Sequence, residues 1–358
     1  MATLLARNPP LEGAALQPAP ASELQRAKAA YRQGRYPAAL EQVGQALEQL
    51  RLEKAAPCTP ELLSAHGLLL NISIDLALPG RAEALSEAIQ VCLASLPEPH
   101  YSEERFKRLD AWARLALRAG RWMRAQSFLA QKRQLAAQRG DEQGREALWQ
   151  VYTAAWSGEE TAEAVPLAAT LAPFRDPEAP ARWAAATGNS WWDYAARALA
   201  LWAWRRADEP VTALLRGYVP TLRERLATGP DPGPLGQALA FLHLAAPTAP
   251  ELSELWAELA APRLAEAHYA LELTALHWLL GEVSAAHTHW ERFRTMRRNA
   301  LAPWEQAGAT APLPACSPEV LQTERVEREH AEAQLLETAP EAGTDPATAL
   351  VTAGMLPL

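Results

Sequence analysis

From residue 23 to about residue 304, apolar positions recur at the spacing of a helix face, and no stretch alternates every second residue with β-branched side chains. Alanine, leucine, glutamate, glutamine and arginine fill the positions between, all good helix formers. The pattern predicts an all-α chain. Prolines punctuate it but are missing from His100 to Val165 and from Arg263 to Ala302, so these windows should hold the longest helices. The segment GNSWWDYAARALALWAW is apolar nearly all round, as a helix buried between neighbours would be. It belongs to a cluster of Trp183, Trp191, Trp192, Trp202 and Trp204 that reads as core packing. Residues 1–22 read as a flexible lead-in and residues 305–316 as a linker. SPEVLQTERVEREHAEAQLLE reads as one acidic helix with Ser317 as cap and Pro318 in its first turn. The remainder, to Leu358, is expected to be disordered.

A second pattern lies on top of the first. Gly34, Tyr36 and Ala39 repeat as Gly120, Trp122 and Ala125, and as Gly281, Val283 and Ala286. Weaker copies surround Gly80 and Gly158, with degenerate ones in RADEPVTAL and AAPTAPEL. The glycine ends one helix in a left-handed turn, the apolar residue starts the next, and the alanine sits where the two helices approach. A period of about 40 residues implies about seven antiparallel helix pairs stacked as a right-handed α-solenoid over residues 23–304.

These residues carry a resemblance. With Ala27, Tyr31, Gly34, Tyr36, Ala39 and Ala46, the segment 23–49 resembles a tetratricopeptide repeat, and the segments around Gly120 and Gly281 resemble it less fully. The resemblance implies a concave groove lined by the first helix of each pair, at positions 13, 6 and 2 residues before the turn. Those positions are Lys28 and Arg32 in the first unit, Lys107, Arg114 and Arg118 in the third, and Arg145, Tyr152 and Trp156 in the fourth. With Asp208 as the fifth turn they include Trp202 and Arg206. The second unit, counted from Gly80, places Gly67, Ile74 and Leu78 there and breaks the cationic pattern. Asn71 falls where the repeats that clamp peptide carboxylates carry an asparagine, but Leu24 and Ala111 replace their basic residues.

Charge and chemistry narrow the function. A formal charge of −8 argues against binding nucleic acid through bulk charge. Within the acidic chain, Arg105–Arg139 holds ten basic residues and one acid, Asp110, which predicts a basic stripe. Cys58, Cys92 and Cys316 follow no metal or disulfide spacing and are expected to be reduced thiols. No apolar run is long enough for a signal peptide or a membrane span, so a cytoplasmic protein is expected. Only four of the 34 basic residues are lysine, a bias that suggests a GC-rich bacterial genome. Gly-Lys-Ser/Thr, HExxH, CxxC, GxSxG and GxGxxG are all missing, so neither catalysis nor a cofactor is expected. His287 and His289, two apart on a helix, point to different sides and make a poor metal pair. The expected function is a scaffold or adaptor that binds an acidic peptide or protein surface in the groove. The alternative is a ligand-sensing regulatory domain acting with a transcription activator. The acidic tail is a further candidate occupant of the basic surface.

Overall fold

The computed structural model describes residues 20–52, 58–139, 144–158, 167–171, 174, 191–229, 231–266, 269–306, 317–338, 340 and 345–358, and every regular element among them is helical. In chain order these are α1 (Pro20–Arg32), α2 (Tyr36–Leu52), α3 (Pro60–Asp75), α4 (Pro79–Ala94), α5 (His100–Arg118), α6 (Trp122–Arg139) and α7 (Gly144–Ser157). There follow α8 (Leu167–Leu171), α9 (Trp191–Arg206), α10 (Glu209–Gly217), α11 (Val219–Thr228), α12 (Gly233–Ala245) and α13 (Pro250–Leu255). A π-helical turn, Trp256–Ala260, leads into α14 (Ala261–Glu266), α15 (Ala270–Leu279) and α16 (Val283–Gln306). The chain ends with α17 (Pro318–Leu336) and α18 (Pro346–Thr352).

Of the two proline-free windows, 100–165 carries α5 and α6, of 19 and 18 residues. The other holds a short α15 of ten residues and most of α16, whose 24 residues run on past Ala302 through Pro303. Helix starts follow side-chain chemistry. Thr59, Asp208, Ser317 and Asp345 each accept a hydrogen bond from a backbone N–H of the first turn, and a proline stands in that turn each time.

Helix ends share one geometry. Gly34, Gly120, Gly158 and Gly281 all have positive φ, as the repeat pattern requires. Gly80 does not; it lies inside α4, and Ala77 at φ 55° makes the turn of the second unit. Ala207, at φ 49°, makes the turn of the fifth, and Asp208 is the cap that follows it. At Gly34, Ala77, Gly120, Ala207 and Gly281 the next residue's N–H returns to the carbonyl five positions back, which closes each helix in the same way.

Consecutive helices pack as neighbours: α1 with α2, α3 with α4, α5 with α6, and α15 with α16. The middle of the chain departs from this, because α9 packs on both α7 and α12. Trp192 is fully buried there, stacked on Phe174, as the all-round apolar pattern required. Trp183, Cys316 and residues 1–19 of the lead-in lie outside the described residues; residues 20–22 of it already belong to α1.

Two apolar clusters form the core. One gathers α1–α5; the other runs from α5 to α16. The long helix α16 joins both, with Trp290 and Phe293 in the second cluster and Ala300, Leu301 and Trp304 in the first. Trp304 lies against Gly44 of α2, close enough that a Cβ there would be 3.4 Å from its ring. The end of the helical array is therefore packed against its start.

Two expectations are corrected. Cys58 and Cys92 are bonded to each other, tying the entry of α3 to α4 across 34 residues, so they are not free thiols. The cytoplasmic expectation loses that support; what holds is that no helix among the described residues is long and apolar enough to cross a membrane. The stretch after α17 is not disordered over 345–358. Leu350, Met355 and Leu356 are fully buried in the second cluster.

The acidic helix α17 lies on α16. Arg297 is completely buried and holds Glu332 through two hydrogen bonds of 2.7 Å, while Trp290 Nε1 donates to the same carboxylate at 3.0 Å. Arg298 pairs with Glu329, and Arg325 with Glu305 at 2.7 and 3.2 Å. Burying such a pair costs desolvation that its attraction roughly offsets, so its main effect is to fix which residues meet. Glu324 accepts from the backbone N–H groups of Gly80 and Arg81, capping α4 from outside.

Candidate functional site

With the turns placed at Ala77 and Ala207, the inner positions of the second unit become Ser64, Asn71 and Asp75, and those of the fifth Tyr194, Leu201 and Arg205. Side chains of the first three units and of α15 meet here. Arg114 donates to Asn71 Oδ1 at 3.4 Å and is paired with Asp75. Tyr31 donates to Asp75 from the first unit at 2.7 Å. Burial, then the Asp75 charge, pushes the Tyr31 hydroxyl well above the usual tyrosine range. Arg118 Nη2 lies 3.5 Å from Glu272 of α15, across the molecule. Burial pushes the Glu272 carboxyl up, against the pull of Arg118.

The same inner positions hold the chain's last segment. Arg118 donates to the carbonyl of Gly354 at 3.1 Å, and the Tyr152 hydroxyl to that of Pro357 at 2.6 Å. Gln237 donates to Leu358 O at 3.3 Å. Arg205 pairs at 2.7 Å with Asp345, the cap of α18. Gly120 has a second use at this contact. A Cβ on it would stand 2.8 Å from Val351, so the third turn needs glycine both for its φ of 64° and for the approach of α18.

The expected groove residues separate accordingly. Asn71, Arg114, Arg118 and Tyr152 meet at the inner face. Arg32 is exposed and lines the central cavity with Arg114. Lys107 is exposed and paired with Glu104 on its own helix, and Lys28 is half-buried on α1. Trp156 is in the core, edge-on to Tyr152, Trp204 and Phe241, and offers no groove surface. Trp202 donates to Asp208 and lies under Arg206, away from the cavity. Arg145 lies outside the described side chains.

Part of the basic stripe of Arg105–Arg139 is paired with acids, some from elsewhere in the chain and one, Asp110, from the stripe itself. Arg121 pairs with Glu83, Arg114 with Asp75, Arg118 with Glu272, and Lys132 with Asp110. The acidic tail helix reaches the arginines of α16 instead of this stripe. His287 faces the Leu336 carbonyl while His289 stacks on His277, so the two histidines do serve different neighbours.

Between the two ends of the chain lies a cavity of about 330 Å³, lined by residues of α1, α2, α3, α5, α7, α9, α12, α15 and α16 and by Leu358. Tyr269 closes one wall by donating to Asp231 at 2.7 Å. Arg197 enters from α9 and is 3 % exposed. Its guanidinium carbon lies 4.7, 4.4 and 5.0 Å from the rings of Trp149, Tyr152 and Tyr194. Sequence spacing missed Arg197 and Gln237 because the turns of their helices carry no glycine mark, and Glu272 because it stands nine residues before Gly281, outside the inner spacing.

Compared with family models, curated proteins and solved structures, the chain finds no match in any of the three.

Proposed function

We propose that this protein is a non-catalytic interaction scaffold, a right-handed array of antiparallel helix pairs whose inner face holds an extended peptide segment. One observation carries the reading. Arg118, Tyr152 and Gln237, from three different helices, each donate a hydrogen bond to a main-chain carbonyl of residues 354–358. Such contacts tolerate many sequences, while the buried Met355 and Leu356 supply the side-chain selection.

The partner is then an extended segment rich in apolar residues rather than an acidic one. Arg114 and Arg118 already hold Asp75 and Glu272, so their charge is largely spent inside the protein. The chain's own end occupies the face, and a partner binds by displacing it. Because that end is tethered, its effective concentration is high, and a competitor must bind tightly or be abundant.

The test uses the intact array. A protease site is placed between Pro340 and Asp345, the chain is cleaved, and a fluorescent peptide of residues 345–358 is titrated in. Saturable binding is expected, weakened about fivefold by Tyr152→Phe, which removes one hydrogen bond of about 1 kcal/mol. A peptide that fails to enter, or binds the Tyr152→Phe protein equally well, contradicts the proposal.

A further inference from the structure

The geometry points to a second binding site, in the central cavity, for a small aromatic carboxylate held by Arg197. This goes beyond the peptide face: it concerns a small molecule and a charged group, Arg197, that donates no hydrogen bond to that segment, while Tyr152 and Gln237 border both sites.

The argument starts from the charges. Arg197 carries a guanidinium that is almost wholly out of water. Charged side chains are rarely buried this far without an opposite charge. Yet among the described residues the hydrogen bond found for it is a long one, 3.4 Å from Nη1 to the neutral Gln237 Oε1, and its Nε has no partner. No carboxylate lies within ion-pair distance of it among the described residues, whereas the fully buried Arg297 is paired with Glu332. Three aromatic faces around it replace part of the lost hydration, but they accept no directed hydrogen bond.

The carboxylates at the cavity are engaged. Asp75 accepts from Tyr31 and pairs with Arg114, and Glu272 pairs with Arg118. Two cations of the cavity wall, Arg32 and Arg197, meet no carboxylate among the described residues; Arg32 is exposed to water, so the buried uncompensated charge is that of Arg197. An oxyanion is the group that completes it, and a planar carboxylate matches the guanidinium fork.

The rest of the cavity sets the body of the ligand. Its volume of about 330 Å³ is at the lower end of the range for small-molecule pockets. Trp149, Tyr36, Tyr194, Tyr269 and Phe293 line it, so a flat ring finds aromatic partners on several sides. Gln237 touches both Arg197 and Leu358, which places the ligand beside the end of the bound segment.

Isothermal calorimetry on the full chain tests this with benzoate and its neutral isostere benzamide. Benzoate is expected to bind at least tenfold more tightly than benzamide. Arg197→Met keeps an apolar stem among the rings and should remove that preference. The proposal is overturned if benzoate shows no binding at millimolar concentration, if benzamide binds equally well, or if Arg197→Met leaves benzoate affinity unchanged. Should Arg197→Met fail to fold, the comparison of the two ligands on the unaltered protein still decides.

Discussion

Ala207 occupies a left-handed turn position that glycine holds at Gly34, Gly120, Gly158 and Gly281. An L-residue with a Cβ is strained there, while glycine is not. Ala207 is exposed, so its methyl contributes little packing. Ala207→Gly should therefore stabilise the protein by about 0.5–1 kcal/mol, read as a raised denaturant midpoint; an unchanged or lowered midpoint would mean that the turn is not strained. The same residue explains what the sequence hid. Glycine marks a turn in plain letters; alanine does not. With Ala77 unmarked, the second unit was counted from Gly80, and Asn71 and Asp75 fell out of the inner register. With Ala207 unmarked, Trp202 and Arg206 took the places of Leu201 and Arg205. Arg114 and Arg118 were legible because Gly120 is a true turn.

At the scale of elements, α17 was legible as a helix from Ser317, Pro318 and its helix-forming residues, but its seat was not. Glu329 and Glu332 meet arginines more than 30 residues away, and no local pattern specifies such a pairing. Its acids Glu329 and Glu332 meet the arginines of α16, while Arg114, Arg118, Arg121 and Lys132 of the Arg105–Arg139 stripe pair with other acids. The docking makes a pH prediction. Burial alone would raise the Glu329 carboxyl, but hydrogen bonds from Arg298 and Arg325 outweigh it and hold the group below the usual range. A carboxyl lowered on folding adds stability that is present above its unfolded value, about 4.3 for glutamate, and is lost as pH falls through the folded value. Asp345, hydrogen-bonded to Arg205, is lowered too and acts in the same sense. Glu324, raised by burial, acts in the opposite sense and reduces the net effect. The melting temperature of Glu329→Gln should accordingly fall less steeply than that of the unaltered protein between about pH 5 and pH 3. Parallel curves would show that Glu329 does not couple α17 to the array.

At the scale of the whole molecule, the periodicity foretold an all-helical chain and its local pairs. It could not foretell that Trp304 returns to Gly44, since no local pattern specifies a contact between residues so far apart in the chain. The central cavity is lined by helices from both ends of the chain, so its lining was illegible for the same reason. The Cys58–Cys92 bond joins residues brought together by the α3–α4 packing and follows no spacing motif. The disordered reading of the end rested on its short, proline-broken composition, which ignores what a surrounding face can order. A free seven-residue helix is marginal in water, so any lasting order in α18 and the residues after it must come from docking. Hydrogen exchange of the intact chain measures this directly at Gly354 and Met355, whose N–H groups return to Val351 and Leu350. Both amides should exchange at least tenfold more slowly than in a free peptide of residues 345–358, and Tyr152→Phe should reduce that protection. Exchange at the free-peptide rate in the intact chain would contradict the account that the inner face holds this segment.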